Sequence, residues 1–184
     1  MPSNHLPNEH DLIEGCLLGN PIMQKKLYDQ YAPKMFGICL RYAANSEDAK
    51  DILQDGFVKV FVNLGKFKGT GSFEGWMRRI FVNTAIEHYR KKNQLYAISE
   101  NQEENIPNHE VSALDALEAD DIIRLISELP NGYRTVFNLF AVEGYSHKEI
   151  ATMMNISEGT SKSQYARAKA WLQEKIGNRN QEKS

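Results

Sequence analysis

The chain has 184 residues, 22 basic and 24 acidic side chains, and a formal net charge of −2. That length suits one ordinary domain or two small ones, and 41 % apolar with 25 % charged residues excludes a disordered or fibrous protein. The apolar runs are far too short for a membrane span, and the first ten residues lack the charged-then-apolar order of a signal peptide, so the expectation is a cytoplasmic protein without membrane insertion. Cys16 and Cys39 lie in apolar helical patterns with no CxxC or Cys/His cluster, which points to reduced structural thiols and no metal site. The five histidines are scattered and no nucleophile stands beside a base. No catalytic site and no cofactor are therefore expected.

The small net charge hides a segregation. Residues 1–60 carry −2, residues 61–93 carry +5, residues 94–129 carry −8 and residues 130–184 carry +3. Two basic blocks separated by an acidic one suggest two separate contacts with a polyanion.

Almost no strand is expected, and the chain reads as a series of amphipathic helices. The first, 11–18, stops at Gly19-Asn20-Pro21. The second, 22–44, has Leu27, Tyr31, Met35, Ile38, Cys39 and Tyr42 inward, and Pro33 predicts a kink or break near Ala32. Ser46 is the expected N-cap of a third helix, 47–64, with two acids in its first turn. Ile52, Phe57, Val60, Phe61 and Leu64 can face a core. Asp48, Asp51, Gln54, Asp55 and Lys59 fall on a different face, either simply solvated or a dock for a basic helical partner.

Residues 66–92 hold the most unusual chemistry. A loop with Gly69 and Gly71 lies between Phe67 and Phe73, and a helix comes next. Phe73, Met77, Ile80, Phe81, Thr84, Ala85 and His88 form its inward stripe, and Arg78, Arg79, Asn83 and Arg90 lie on the other side. Flexible loop, aromatic rings, guanidinium groups and an amide together suit single-stranded nucleic acid, which needs positive charge along its backbone and π-faces for its bases. The plainer reading is an amphipathic core helix with a solvated basic face.

Residues 93–113 lose helical periodicity, gain Asn, Gln and Glu, and read as a flexible acidic linker. Fully extended they reach at most ~70 Å. A second domain, 114–178, lies beyond. Ile122, Leu125, Ile126 and Leu129 stripe a helix that ends at Pro130, and residues 133–142 form another, closed by Glu143-Gly144. Ser146 with Glu149 makes a capping box, Asn155 suits a tight left-handed turn, Ile156 plugs the core, and Ser157 caps a last helix, 158–175. Tyr165, Ala168 and Leu172 face inward there, with Lys162, Ser163, Gln164 and Arg167 outward. A short helix, tight turn and second helix with basic outward residues is a helix-turn-helix, whose second helix enters a major groove. The expected fold is thus all-α, with two small helical domains (9–92 and 114–178) and the helix-turn-helix in the second.

Residues 48–60 (DAKDILQDGFVKV), 67–83 (FKGTGSFEGWMRRIFVN), Leu129-Pro130 with Arg134, Val136 and Phe137, and 143–167 (EGYSHKEIATMMNISEGTSKSQYAR) resemble, in order, an extracytoplasmic-function (ECF) sigma factor of bacterial RNA polymerase. The resemblance covers about residues 9–178. It implies a two-domain initiation factor with no catalytic activity, acting on promoter DNA. Asp51, Gln54 and Asp55, with Asp48 and Leu53 as neighbours, match the positions that dock on the clamp helices of core polymerase. Phe67, Lys68, Gly69, Thr70, Gly71, Ser72, Arg78, Arg79 and Asn83 match the part that captures a flipped base of the melted −10 strand. Ser157, Glu158, Thr160, Lys162, Ser163, Gln164 and Arg167 match the reader of the −35 duplex. The second domain would also touch the polymerase flap, and an anti-sigma partner would hold the factor inactive.

Three positions depart from the family pattern. Ser161 stands where an aliphatic core residue is expected, Asn155 where glycine is commoner, and Glu87 at a position that varies with promoter. Trp76 is assigned to the core rather than to a stacking platform. Two other classes are weighed against the sigma reading. A free-standing helix-turn-helix regulator would bind a palindrome as a dimer, but no dimerisation helix is evident. A nuclease or recombinase would need a metal-holding carboxylate pair, and the acids of 48–55 lie along one helix without such support.

Overall fold

A computed structural model describes residues 8–98 and 124–182, with side chains described for 8–93 and 124–176. In chain order the elements are α1 (Glu9–Leu17), α2 (Pro21–Tyr42), α3 (Ser46–Asn63), a 3₁₀ turn (Leu64–Lys66), α4 (Phe73–Ile98), helical residues 124–127, α5 (Asn131–Phe137), a π-helical turn (Asn138–Val142), α6 (His147–Met154) and α7 (Glu158–Glu182). No strand occurs among the described residues. None of their helices is long and apolar enough to cross a membrane. The chain divides into two compact units, Met1–Cys39 with Asn45–Ala85, and Leu40–Ala44 with Ile86–Ser184. Residues 99–113 of the expected linker, and Ile122, lie outside the described residues.

Helices α1 to α4 are built on the predicted stripes. Leu27, Tyr31, Met35, Ile38, Cys39 and Tyr42 of α2 are all buried. Helix α2 runs unbroken through Pro33, so of the kink or break expected near Ala32 the break does not occur. A proline costs about 3 kcal/mol inside a helix. Tyr31 and Met35, on either side of it, are both buried, and each such side chain returns roughly 1.5–3 kcal/mol. Burial pushes the Cys39 thiol up to about 12 and raises that of Cys16, in keeping with inert packed thiols.

Helix α3 begins one residue earlier than expected, because Asn45 and not Ser46 caps it. The Asn45 Oδ1 accepts from the Asp48 N–H at 2.8 Å. Ile52, Phe57, Val60 and Leu64 are buried, and Phe61 is half-buried. On α4, Phe73, Met77, Phe81, Thr84 and Ala85 are buried and Ile80 and His88 half-buried, and the Phe81 ring packs on Phe57 of α3 at 5.2 Å. Val82 and Ile86 are buried too, so the apolar face of α4 is wider than the predicted stripe. At Gly56 the two helices touch. A Cβ there would lie 2.2 Å from Cε1 of Phe81, which is itself fully buried. Helix α4 continues to Ile98, past the end expected at Lys92. Gln94, Leu95 and Ala97 are good helix formers, and no proline or glycine intervenes.

In the second unit Leu125, Leu129, Ala168 and Leu172 form a core, flanked by Ile126, Tyr133, Phe137 and Trp171. Arg134 is buried and acts as a tie. Its Nη1 donates to the Ser127 carbonyl at 2.8 Å and its Nη2 to Asn131 Oδ1. The single helix expected over 133–142 starts at Asn131 and ends in a π turn, with the Glu143 N–H bonded to the Asn138 carbonyl at 3.0 Å. The wider turn buries Leu139 and stacks Phe140 on His147, with centroids 4.3 Å apart.

The helix-turn-helix forms as expected. Ser146 and Glu149 make a complete capping box on α6. Asn155 adopts φ 57°, ψ 48°, the left-handed turn. Ser157 Oγ accepts from the Thr160 N–H at 2.9 Å. Ile156 is half-buried rather than fully packed.

The capping box carries a pH prediction. The Ser146 hydroxyl and backbone N–H both donate to the Glu149 carboxylate and hold its pKa below the ordinary value. A folded-state pKa lowered in this way contributes stability above the unfolded pKa, and loses it as pH falls through the folded value. The first turn of α6 is therefore expected to fray on acidification, and Glu149→Gln to remove that acid step. Amide exchange of residues 147–151 against pH checks this. An unchanged acid step in Glu149→Gln would assign it to another carboxylate.

Candidate functional site

Three surfaces hold the predicted site residues. The first is on α3. Asp51, Gln54 and Asp55 are exposed, and Asp48 and Leu53 are half-buried beside them. Asp48 also serves the helix start, since its backbone N–H and carboxylate both bond the Asn45 side chain. Two further residues of this face, Val58 and Val62, are not singled out by the sequence reading. They stand 56 % and 77 % exposed, seven and eleven residues after Asp51. Their spacing puts them in one row with Asp51 and Asp55, and that spacing is the signal that could have found them. The face is an acidic stripe that turns apolar at its C-terminal end.

The second surface is the loop 67–72 with α4. Lys68, Gly69, Thr70, Gly71 and Ser72 are all exposed. Gly69 and Gly71 have φ of 69° and 88°, a conformation that L side chains rarely adopt, so the two glycines set the shape of the loop. Phe67 is half-buried, and its ring lies 5.1 Å from Phe73 and 5.5 Å from Trp76. Trp76 stacks on Phe73 at 5.6 Å, in the packing role assigned to it, and is half-buried. Phe67 thus anchors one end of the loop. Ser72 anchors the other, accepting from the Gly75 N–H at 3.2 Å. Lys34 of α2 pairs with Glu74 in the first turn of α4 at 2.6 Å. Past the loop, Arg79 and Asn83 are exposed one turn apart, and Glu87 and Arg90 extend the same row. Arg78 is half-buried and stands off that row.

The third surface is the N-terminal half of α7. Glu158, Gly159, Lys162, Ser163, Ala166 and Arg167 are exposed. Gly159 and Ala166 are not picked out by sequence reasoning. They leave the middle of this face without bulk, which lets a partner approach the backbone. Several predicted readers already have partners. Ser157 and Thr160 share the cap, their hydroxyls 2.8 Å apart. Glu158 and Lys162 pair at 2.7 Å, and the lysine holds the carboxylate pKa below its usual value. Arg167 Nη1 donates to the Tyr133 hydroxyl at 3.2 Å. Gln164 is half-buried at the edge of the face.

Comparison with known proteins shows the family. Residues 27–94 match sigma-70 region 2, and residues 119–172 match sigma-70 region 4. The chain is 30 % identical over 174 residues to the RNA polymerase sigma-H factor of Pseudomonas aeruginosa, covering 88 % of this chain and 90 % of that one. It is 29 % identical to the ECF RNA polymerase sigma factor SigW of Bacillus subtilis, over 82 % and 87 % of the two chains. To the ECF RNA polymerase sigma-E factor of Escherichia coli it is 28 % identical, over 90 % and 92 %. The fold is similar to that of the sigma factor RpoE of Bartonella quintana, solved with the anti-sigma factor NepR, with a TM-score of 0.51 and 21 % identity over 83 % of this chain and 96 % of that one. With both sigma-70 regions in order and near-full-length relatives, the chain belongs to the ECF sigma factors and is a sigma factor of bacterial RNA polymerase.

Proposed function

We propose that the labour is divided among the three surfaces, over the domains 9–92 and 114–178. Asp51, Gln54 and Asp55, with Asp48 and Leu53, dock on the clamp helices of core polymerase. The loop 67–72, with Arg79 and Asn83, holds a base flipped out of the melted −10 strand, and Arg78 adds positive charge at the edge. The exposed face of α7, from Ser157 to Arg167, reads the −35 duplex, and the second domain also meets the flap. The chain performs no chemical step of its own; bond formation belongs to the polymerase. It works in the cytoplasm, where an anti-sigma protein holds it until released.

One observation carries this reading. The loop is exposed and shaped by two glycines at positive φ, and the helix that follows it presents Arg79 and Asn83 exposed in one row. Unstacking a base costs a few kcal/mol, which ring, amide and backbone contacts in such a pocket can offset. The test is promoter opening by the holoenzyme, followed by 2-aminopurine fluorescence at −10. Asn83→Ala is expected to reduce the opened fraction roughly tenfold, the worth of one lost contact of about 1.4 kcal/mol, while assembly with polymerase stays intact. Wild-type opening by both Asn83→Ala and Arg79→Ala would move the base pocket elsewhere.

A further inference from the structure

Ser161 is fully buried on the inner side of α7, where an aliphatic residue was expected. A buried hydroxyl without a partner is costly. This one has a partner from another helix: Ser161 Oγ lies 2.9 Å from Nδ1 of His147, the first residue of α6. The imidazole is fixed on its other sides as well. It stacks on Phe140 at 4.3 Å with the planes 12° apart, and it meets the ring of Tyr165 at 5.9 Å and 60°. Phe140 is delivered by the π turn, and Tyr165 stands on α7 itself. Three elements thus converge on one ring, and that ring holds the only buried polar side chain that α7 carries among the described residues.

We propose that His147 is a positioning residue for the DNA-reading helix: through Nδ1 and Ser161 Oγ it sets how α7 is rolled and seated on α6. An aliphatic contact at this place would tolerate small slides, because dispersion has no direction. A hydrogen bond between two fixed groups does not. Rolling α7 would move Lys162, Ser163 and Arg167 together relative to base edges. Phosphate contacts, which supply most of the affinity and little of the specificity, would be disturbed less. The expected signature is therefore loss of discrimination among −35 sequences at nearly unchanged total binding. The inference rests on the reading that α7 contacts the −35 duplex.

The experiment uses the full chain with core polymerase and a set of promoter fragments that differ only in the −35 element, drawn from a randomised library by the wild-type holoenzyme. His147→Leu and Ser161→Ala are each expected to lower the ratio of transcription from the preferred fragment over single-base variants about fivefold to tenfold, the worth of one buried hydrogen bond. The double variant should be no worse than either single one, because both remove the same bond. His147→Asn places an amide near the Nδ1 position and should restore the ratio to within about twofold. A simple stability role would lower the melting temperature and total transcript, leave the ratio alone, and show no rescue of discrimination by asparagine. If His147→Leu fails to fold, Ser161→Ala, which removes one oxygen atom, decides alone. Arg167→Ala is the control for the underlying reading. If it shifts the −35 preference while His147→Leu and Ser161→Ala keep the wild-type ratio, the positioning role is overturned and −35 reading by α7 stands. If none of the three changes the ratio, α7 does not read this element and the proposal falls with that reading.

Discussion

Reversing charge at Asp51 and Asp55 together, each to lysine, is expected to abolish co-elution of the protein with core RNA polymerase on a sizing column at moderate salt. Both side chains are exposed on α3, one turn apart, while the opposite side of the helix is buried through Ile52, Phe57 and Val60. Reversal at such positions leaves the core intact, so melting should shift little; surface changes usually stay within about 0.5 kcal/mol. Binding should respond far more. Close charge pairs across interfaces couple by roughly 1.5–7 kcal/mol, so the double reversal should weaken assembly at least a hundredfold. Gln54→Ala, which removes an amide and adds no repulsion, should cost about tenfold. The apolar end of the same face gives an internal comparison. Val62→Glu adds a charge where Val62 stands 77 % exposed. If the partner helix is amphipathic, with basic residues toward Asp51 and apolar ones toward Val62, that variant also weakens assembly. If assembly survives the double reversal at wild-type affinity, α3 is a solvated face and the polymerase docks elsewhere.

How much of this is legible in the sequence differs by level. The stripe on α2 is a single-period pattern with six members, and all six are buried. The helix-turn-helix is legible because each joint has a local chemical signature: a capping box at Ser146 and Glu149, an asparagine able to adopt positive φ at 155, and a serine cap at 157. Such signatures act within four residues, which is the range over which a single sequence speaks clearly. Most misses lie where tertiary contacts decide, though the choice of cap on α3 is a local one between neighbouring residues. Asn45 outcompetes Ser46 as a cap by its geometry relative to Asp48. Val82 and Ile86 are buried as well, outside the predicted stripe of α4. The π turn after α5 adds a residue that no periodicity announces, since its purpose is to aim Phe140 at a histidine further along the chain. Ser161 departs visibly from the family pattern, but its partner cannot be named from sequence, as His147 is fourteen residues away on another helix. At the candidate site, residue types and faces are legible. Which side chains are already occupied by caps and ion pairs is not.

A large effect on stability is also expected at Gly56, which lies inside the stretch read from sequence as a docking motif. Its role is internal. Gly56 is buried on the side of α3 that meets α4, and a Cβ built there would approach three carbons of the Phe81 ring at 2.2, 2.5 and 2.8 Å. Favourable carbon contacts lie near 3.5–4.0 Å. Phe81 cannot retreat easily, because it is fully buried and its ring packs edge-on against Phe57 at 5.2 Å. Alanine would return up to about 1 kcal/mol of helix propensity over glycine, but overpacking a tight core costs roughly 1–3 kcal/mol, so Gly56→Ala should be mildly to clearly destabilising. Gly56→Val adds two more carbons and a β-branch, and is expected to cost at least about 3 kcal/mol. The measurement is denaturant unfolding of the two variants, combined with Phe81→Ala in a double-mutant cycle. Phe81→Ala alone should cost about 3–5 kcal/mol by opening a cavity. With Gly56→Ala, the added methyl enters that cavity, and the double variant should be more stable than the sum of the two single costs. Strict additivity would mean that residue 56 and the ring do not touch. Because the docking stripe rides on the opposite face of the same helix, Gly56→Val should also weaken assembly with polymerase, with Asp51 and Asp55 themselves unaltered: pushing α3 off α4 displaces the whole row at once.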